Sequence, residues 1–290
     1  MYEILRKEKL AENIYLMDIH APRVAASAHP GQFIILRSTP EGERIPLTIS
    51  DYDTERGTVQ IVVQTLGVST LKLAEKEVGE CVEDFAGPLG RPSDFIYENI
   101  EELKGKKLLF IAGGVGTAPV YPQVKWLKEH GVDADVIIGA KTKSLLILTD
   151  EMRAVAGNLY IATDDGSEGF HGMVTGCLKK LVEEDGKKYD TVITIGPMIM
   201  MKFVSLTTKE LGIPTIASLN SLMVDGTGMC GACRVSVGGK TKFTCVDGPE
   251  FDAHEVDFDE AMRRSGQYRD EEQRRLEKYK DHKCRIGLDK

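Results

Sequence analysis

The chain has 290 residues, of which 42% are hydrophobic, and its formal net charge is −8. A chain of this length is typical of about two domains, and its hydrophobic share provides for packed cores, which excludes an intrinsically disordered protein. The acidic balance, with no basic stripe, argues against a protein that binds nucleic acid.

The N-terminal segment "MYEILRKEKL" lacks the apolar stretch of a secretory signal. The longest apolar runs of the chain are interrupted by glycine or proline, and they fall short of the ~18 residues that a membrane helix needs. These features predict a soluble, cytoplasmic protein that does not associate with a membrane.

Residues 1–100 contain several short segments in which apolar and polar side chains alternate. The segments are "NIYLMDI", "QFIILRS", "TVQIVVQT" and "GECVEDF", and stretches that contain glycine or proline separate them. Short strands joined by such turns at this spacing are typical of a small antiparallel barrel, which we predict for this part of the chain.

Two pieces of the predicted barrel carry residues suited to a phosphate-containing cofactor. In "RIPLTIS", Arg44 could hold a pyrophosphate through two hydrogen bonds, and Thr48 could direct its hydroxyl at a ring nitrogen. In "LGVSTLKL", Gly67, Ser69 and Thr70 precede a short helix and offer a second place for phosphate. Taken singly, each piece is also compatible with an ordinary strand or a capped helix.

Strands and helices alternate regularly over residues 101–222, after the charged connector "ENIEELKGKK". The segment "KLLFIAGG" reads as a buried parallel strand, and the helix after it is expected to end at Gly131. This alternation predicts a doubly wound α/β domain with a parallel sheet.

Three strand ends of this domain carry small or polar residues. The first, "GGVGTAP", opens a helix, where backbone N–H groups attract phosphate, although its spacing is not that of the G-x-G-x-x-G dinucleotide motif. The other two are "TDDGSEG" and "IGPMIMM", and ligands of open α/β folds bind at this edge of the sheet. The candidate residues are Gly113, Gly114, Gly116, Asp165, Gly166, Gly196, Pro197 and Met200.

Three of the six cysteines lie in "DGTGMCGACRVSVGGKTKFTC", residues 225–245, with the spacing C-x2-C-x11-C. Clustered cysteines in a reducing compartment favour metal binding over disulfides. With Asp225 placed first, the spacing becomes D-x4-C-x2-C-x11-C, which departs from the plant-type iron–sulfur pattern only in its first ligand. Two alternatives stay open: a structural zinc site that recruits His254, and an aspartate that serves only the turn.

The remaining cysteines, Cys81, Cys177 and Cys284, are scattered singly and are interpreted as buried or inert thiols. Residues 251–290 predict one or two charged helices with a thin apolar stripe. We expect these helices to be solvated and packed on their own domain, with a docking arm for a partner subunit as the alternative.

Together, "RIPLTIS", "GVST", "GGVGTAP", "TDDGS" and "GPMIMM" resemble the ferredoxin–NADP reductase superfamily over nearly the whole chain. The segments "VDGTGMCGACRVSVGG" and "FTCVDGPEFDAHEVDFD" are most similar to the small (alpha) subunits of NADH-dependent reduced ferredoxin:NADP+ oxidoreductase. Sulfide dehydrogenase small subunits form a near-identical family, and the electron-transfer subunit of dihydroorotate dehydrogenase B is a more distant relative.

The resemblance implies an FAD-binding barrel in residues 1–100, an NAD(H)-binding domain in 101–222, a [2Fe–2S] segment in 223–250 and a helical tail in 251–290. The nicotinamide is expected near Gly116, Thr117 and Met200. The implied FAD-binding residues are Arg44, Pro46, Leu47, Thr48, Ile49, Gly67, Ser69 and Thr70. The implied cluster ligands are Asp225, Cys230, Cys233 and Cys245.

The implied function is that of the NADH-side electron-transfer subunit of an electron-bifurcating enzyme, and no catalytic acid–base pair is expected. The implied partner is a larger subunit with a second FAD and [4Fe–4S] clusters, through which a heterodimer reaches ferredoxin and NADP+. Lys141 and Lys143 argue against the implied preference for NADH, since their charges favour the 2′-phosphate of NADPH. The alternatives are a subunit of sulfide dehydrogenase or dihydroorotate dehydrogenase B type, or a zinc-stabilised, non-catalytic subunit.

Overall fold

The computed structural model of the protein describes residues 2–288, with side chains described through residue 281. The side chain of Cys284 and residues 289–290 of the predicted tail therefore lie outside the described residues.

The N-terminal part forms one antiparallel sheet that is rolled into a nearly closed barrel. Its strands are β1 (Tyr2–Ala11), β2 (Ile14–His20), β3 (Phe33–Arg37), β4 (Ile45–Asp53), β5 (Thr58–Gln64), β6 (Cys81–Val82) and β7 (Asp84–Leu89), with short helices α1 (Pro22–Ala25) and α2 (Val68–Glu75). The strand order is β6-β1-β2-β5-β4-β3-β7. Only Glu83 separates the two edge strands, β6 and β7, so the chain itself joins the edges. The predicted barrel is confirmed.

The alternation along β5 explains how the barrel is filled and what covers it. Val59, Ile61 and Val63 are fully buried in the barrel core, since successive side chains of a strand point to opposite faces. Val62, on the other face, is also buried, but it packs against residues of the next domain. Both faces of this strand are therefore apolar where they are covered.

A parallel sheet with helices on both faces follows, as predicted. Its elements are α3 (Ile100–Lys104), β8 (Leu108–Gly113), α4 (Thr117–Glu129), β9 (Ala134–Ala140), α5 (Thr149–Val155), β10 (Leu159–Thr163), β11 (Phe170–His171), α6 (Val174–Lys179), β12 (Thr191–Ile195), α7 (Met198–Glu210) and β13 (Thr215–Ser218). The order β11-β10-β9-β8-β12-β13 reverses its direction between β8 and β12. Such a reversal opens a crevice at the carboxyl ends of the two strands.

The cysteine segment leaves the parallel sheet and returns to it. It contains β14 (Arg234–Val237), β15 (Lys240–Phe243) and α8 (Thr244–Asp247), and it ends in β16 (Glu250–Asp252). Strand β16 pairs antiparallel with β13, and the register places Glu250 opposite Ser218. The turn of the β14–β15 hairpin uses Gly238 and Gly239, both with positive φ, as two-residue hairpin turns require.

The tail forms two helices, α9 (Phe258–Ser265) and α10 (Arg269–Leu288), as predicted. Helix α9 packs on α7, whereas α10 reaches back to α2 of the barrel. Within the described part of the chain, none of the helices combines the length and the apolarity that a membrane crossing needs.

The barrel and the parallel-sheet domain meet through an apolar cluster and an ion pair. Leu16 and Val62 of the barrel pack with Ala118 and Ile147 of the second domain. Beside them, Lys125 on α4 donates to both carboxylate oxygens of Asp51 on β4 at 2.9 Å.

Glu250 joins the same two domains at another point. Its Oε1 accepts hydrogen bonds from Ser93, after the barrel, at 2.8 Å and from Gln123 on α4 at 3.1 Å. Burial of the carboxyl, reinforced by the charge of Asp94, raises the pKa of Glu250 to about 7. The buried Oε1 of Gln123 has no hydrogen-bond partner among the described residues.

We expect Glu250→Gln to stabilise the protein at alkaline pH. Between the ordinary pKa of 4.5 and about 7, the carboxyl ionises only in the unfolded chain, so the free energy of unfolding falls as pH rises. The variant lacks this loss, and its amide offers a donor beside the orphan oxygen of Gln123. Its advantage should grow by ~1–3 kcal/mol between about pH 5 and about pH 8, measured by urea unfolding. Glu12→Gln, at an exposed position, is the control, and a difference from wild type that is constant with pH would contradict the assignment.

Candidate functional site: a crevice, a barrel strand and a cysteine loop

The crevice at the switch point brings together glycines from two separate motifs. A Cβ added to Gly113 would meet the sulfur of Met200 and lie 3.0 Å from Pro197 Cδ. A Cβ added to Gly196 would lie 2.7 Å from Met200 Cε and 3.1 Å from Gly113 Cα. These predicted residues therefore form one tightly packed site at the ends of β8 and β12.

The Gly-rich turn between β8 and α4 combines packing with open space. Gly116 lies directly against Ile195 and Gly196, so no side chain fits there. Gly114 has φ of +55° and no atom within 4 Å of an added Cβ, which leaves its backbone accessible. Thr117 is buried, and its hydroxyl donates to Gly114 O at 2.9 Å, so in this structure it holds the turn.

Further along the same edge of the sheet, the ends of β9 and β10 carry polar residues. Asp165 Oδ1 accepts from the hydroxyl of Ser167 at 2.6 Å and from its N–H at 3.0 Å, and these bonds lower the pKa of the exposed Asp165 carboxyl. Gly166 forms the turn with φ of +73°. Lys143 pairs with Glu168 at 2.9 Å, a carboxylate neighbour that the sequence did not reveal because the two residues lie on different loops.

The candidate strand β4 runs beside the cysteine loop. Arg44 is exposed, and its Nε donates to Val224 O at 3.1 Å. Pro46, Leu47 and Thr48 are half-buried, with Leu47 packed against the barrel core, and the side chain of Ile49 is buried within that core. Only the backbone of Ile49 is therefore available to a cofactor.

The candidate phosphate residues after β5 are already engaged in hydrogen bonds. The hydroxyl of Thr70 accepts from the N–H groups of Leu66 and Gly67, at 3.0 and 3.1 Å, and caps α2. The hydroxyl of Ser69 donates to Glu43 at 2.9 Å. A Cβ at Gly67 would meet no atom within 4 Å, so the start of α2 is open on that side.

Two of the three clustered cysteines meet in the interior. Cys233 and Cys245 are buried with their sulfurs 3.2 Å apart, and they pack with Phe33 and Ile35 of β3. Burial, followed by the neighbouring Cys233, raises the pKa of the Cys245 thiol to about 12. The loop is thereby anchored on the barrel wall.

Cys230 and Asp225 lie at the outer side of the same loop. Cys230 is exposed, and the N–H of Ala232 lowers the pKa of its thiol. Asp225 Oδ2 accepts from the hydroxyl of Thr227 at 2.6 Å and from its N–H at 2.9 Å, which lowers the pKa of this carboxyl. Asp225 thus holds the turn, and its backbone N–H and its charge also act on the Cys230 thiol.

The donor set fits an iron–sulfur cluster better than a Cys3His zinc site. Three thiols and a carboxylate come from one segment, residues 225–245, in which Cys245 returns on α8. Backbone N–H groups of Ala232 and Gly228 point at the sulfurs of Cys230 and Cys245, and such hydrogen bonds tune the potential of a cluster. His254 is turned away, with Nε2 at 3.1 Å from the hydroxyl of Thr208 on α7. Across the described side chains, three or more His, Cys, Asp or Glu are not gathered in a ready-made metal cage.

The barrel, the sheet with its crevice and the cysteine segment between β13 and β16 define a class of protein. This class is the reductases of the ferredoxin–NADP reductase type, here with an iron–sulfur segment added after the last parallel strand.

Comparison with known proteins narrows this assignment. Residues 220–257 match the iron–sulfur cluster binding domain of dihydroorotate dehydrogenase B. The dihydroorotate dehydrogenase B (NAD(+)) electron transfer subunit homolog of Thermotoga maritima is 46% identical, over 96% of this chain and 95% of the relative. A protein encoded in the adh 3′ region of Clostridium beijerinckii is 62% identical, over 94% of this chain and 92% of its own length.

A solved structure of NADH-dependent reduced ferredoxin-NADP oxidoreductase, studied for flavin-based electron bifurcation, matches with a TM-score of 0.88 and 44% identity, over 96% of this chain and 98% of the matched chain. The chain belongs to the family of dihydroorotate dehydrogenase B electron transfer subunits and their homologues, within the ferredoxin–NADP reductase superfamily. The resemblance found in the motifs is confirmed. The reductase fold supports FAD as a cofactor, and the matched segment, residues 220–257, supports an iron–sulfur cluster. The names of the relatives as electron transfer subunits imply a larger catalytic partner.

Gly113→Ala tests the packing of the crevice. The added methyl would collide with Met200 and Pro197, and overpacking of this kind costs about 1–3 kcal/mol. Gly113 has φ of −119°, so alanine meets no backbone strain there. Urea unfolding should show the loss, and Gly113→Ala/Met200→Ala should recover most of it. Equal stability of Gly113→Ala and wild type would show that the crevice is loosely packed.

Proposed function

We propose that the chain is the NADH-side electron-transfer subunit of a flavin-based bifurcating NADH-dependent reduced ferredoxin:NADP+ oxidoreductase. The match to the solved oxidoreductase supports this assignment because it extends over nearly the full length of both chains. The family match at the cysteine loop supports it independently.

In the proposed division of labour, residues 1–100 bind FAD, 101–222 bind NAD(H), 223–250 hold a [2Fe–2S] cluster and 251–290 form the tail. When bound, a flavin exchanges electron pairs with a nicotinamide as hydride and passes electrons singly to an iron–sulfur cluster, so it serves as the converter between the two. The crevice formed by Gly113, Gly196 and Met200 would orient the nicotinamide, since hydride transfer depends on positioning.

One observation carries the proposal: the candidate flavin strand β4 lies next to β3, the strand against which the cysteine loop packs. Thr48 on β4 is the cross-strand partner of Phe33 on β3, and Phe33 packs against Cys233 and Cys245. Such partners have Cβ atoms roughly 4.5–5.5 Å apart. Arg44, directly before the same strand, bonds to the loop at Val224. This adjacency supports an electron donor site beside an acceptor site.

The cluster ligands in this proposal are Asp225, Cys230, Cys233 and Cys245. Cys233 and Cys245 would form the buried side of the site, and Cys230 the exposed side, from which electrons leave. Around Cys230 the apolar side chains of Val224, Met229 and Val246 are exposed, which suits contact with a protein partner.

The proposed partner is a larger subunit with a second FAD and [4Fe–4S] clusters, joined to this chain as a heterodimer. Ferredoxin and NADP+ would be reached through that subunit. With three of its six cysteines used in the loop, this chain lacks a second clustered set of thiolates for a further cluster.

The proposed preference for NADH gains support from the ion pair at the sheet edge. Lys143 alone would attract the 2′-phosphate of NADPH, but Glu168 at 2.9 Å offsets its charge and would repel that phosphate. Asp165 adds a second carboxylate at the same edge.

The central experiment is an anaerobic titration of the purified holoprotein with NADH, followed by its absorption spectrum. We expect flavin bands and a broad red-brown shoulder before the titration, and rapid bleaching with NADH. NADPH should react more slowly, and isolated chain should reduce artificial acceptors but do little with NADP+. A colourless protein with one bound zinc would overturn the proposal.

Asp225→Cys tests the carboxylate ligand. If Asp225 ligates iron, the variant should keep a cluster while its reduction potential and its EPR spectrum change, because ligand type and charge tune the potential. Glu255→Gln, which alters an exposed carboxylate outside the segment, is the control. An EPR spectrum of Asp225→Cys identical to that of wild type would show that Asp225 is not a cluster ligand and only holds the turn.

A second candidate function is favoured by the names of the relatives: the electron-transfer subunit of a dihydroorotate dehydrogenase B type enzyme. The two candidates share the same internal sites and differ in the partner. Isolation of the native complex distinguishes them, since the catalytic subunit that co-purifies either carries [4Fe–4S] clusters and reduces NADP+, or oxidises dihydroorotate.

A further inference from the structure

Helix α10 follows α9, which packs on α7, and it lies on the barrel beside α2. Among its described residues, 269–281, only Leu276 and Tyr279 are partly covered, so the helix is held through one narrow face. The hydroxyl of Tyr279 donates to the Glu75 carboxylate, at 2.8 and 3.1 Å, at the end of α2. Lys72, on the same helix α2, lies 5.9 Å from the centre of the Tyr279 ring.

The second anchor of α10 reaches the start of the candidate phosphate site. Arg275 forms an ion pair with Glu43 Oε1, and Glu43 directly precedes Arg44. The other oxygen, Glu43 Oε2, accepts the hydrogen bond from the Ser69 hydroxyl at 2.9 Å. A continuous chain of contacts therefore runs from α10 through Glu43 to a residue proposed to bind phosphate.

Without Arg275, the negative charge of Glu43 would oppose a pyrophosphate bound at this site. A pyrophosphate held by Arg44 and Ser69 would lie close to the carboxylate of Glu43, and like charges at such distances repel. The guanidinium of Arg275 offsets the charge of Glu43 and gives its carboxylate a partner other than Ser69. The Ser69 hydroxyl can then turn to a phosphate oxygen.

We infer that α10 is a strap that retains FAD, with Arg275 as a positioning residue that controls Glu43 and Tyr279 as the clamp on α2. The inference rests on the proposed FAD site in the barrel and adds a role for the tail. The strap lies against the phosphate site and does not include the crevice, so its effect falls on the release of FAD and leaves the NADH site unchanged.

The test measures FAD release from the full-length holoprotein after dilution, by the rise in free-FAD fluorescence. Both contacts are surface contacts, with 67% of the Arg275 side chain exposed, so each variant should have a modest effect. We expect Arg275→Ala and Tyr279→Phe each to release FAD about threefold faster than wild type, and the double variant about tenfold faster. Arg274→Ala, which removes the same charge from the exposed preceding position, should match wild type.

A rescue separates the positioning role from a merely structural one. In Glu43→Gln/Arg275→Ala the carboxylate that Arg275 controls is gone, so FAD release should return towards the wild-type rate. Release from Arg275→Ala at the wild-type rate, or no rescue by Glu43→Gln, would overturn the inference. Wild-type protein that binds no FAD would instead overturn the proposed function. Loss of FAD from Arg44→Ala, together with release from Arg275→Ala at the wild-type rate, would overturn the inference about α10 and leave the proposed FAD site intact.

Discussion

The packing of the cysteine loop on strand β3 is the contact on which the functional arrangement depends. Phe33 and Ile35 use alternate positions of one strand to cover two buried thiols, and the adjacent strand carries the residues proposed to hold a flavin. Because this wall is part of a barrel whose edges the chain itself connects, the loop is fixed relative to the flavin strand. A scaffold of this kind would set the distance between the two proposed redox sites.

Much of the fold was predictable because its elements have strong local patterns. The parallel strands are continuous apolar runs that end at glycine-rich turns. The β14–β15 hairpin is indicated by the adjacent glycines Gly238 and Gly239. Strand β1 escaped prediction because it lies at the barrel surface and carries charges on its outer face, with Ile4 as its fully buried residue. Helix α3 escaped because its five residues lie in a segment that reads as a charged connector.

The candidate site was predictable to the level of its motifs and less so at the level of single side chains. The switch point joins Gly113 to Met200, which the order of the strands implies. The hydroxyl of Thr117 serves its own turn, and the side chain of Ile49 fills the barrel core, because strand alternation decides which way each residue points. The pairing of Lys143 with Glu168 joins two loops, and a single sequence contains no signal for such a contact.

The register that sets Glu250 opposite Ser218 has a consequence for how this protein is built. The last residue of β13 and the first residue of β16 are direct partners, so the thirty or so residues between them depart and come back through a gap of roughly 5 Å. A segment whose two ends meet adds to its host without separating the strands at its ends, as inserted domains do. A nucleotide-binding reductase could therefore gain this segment at one sheet edge, provided that the segment also covers the apolar side chains of β3 on which it packs.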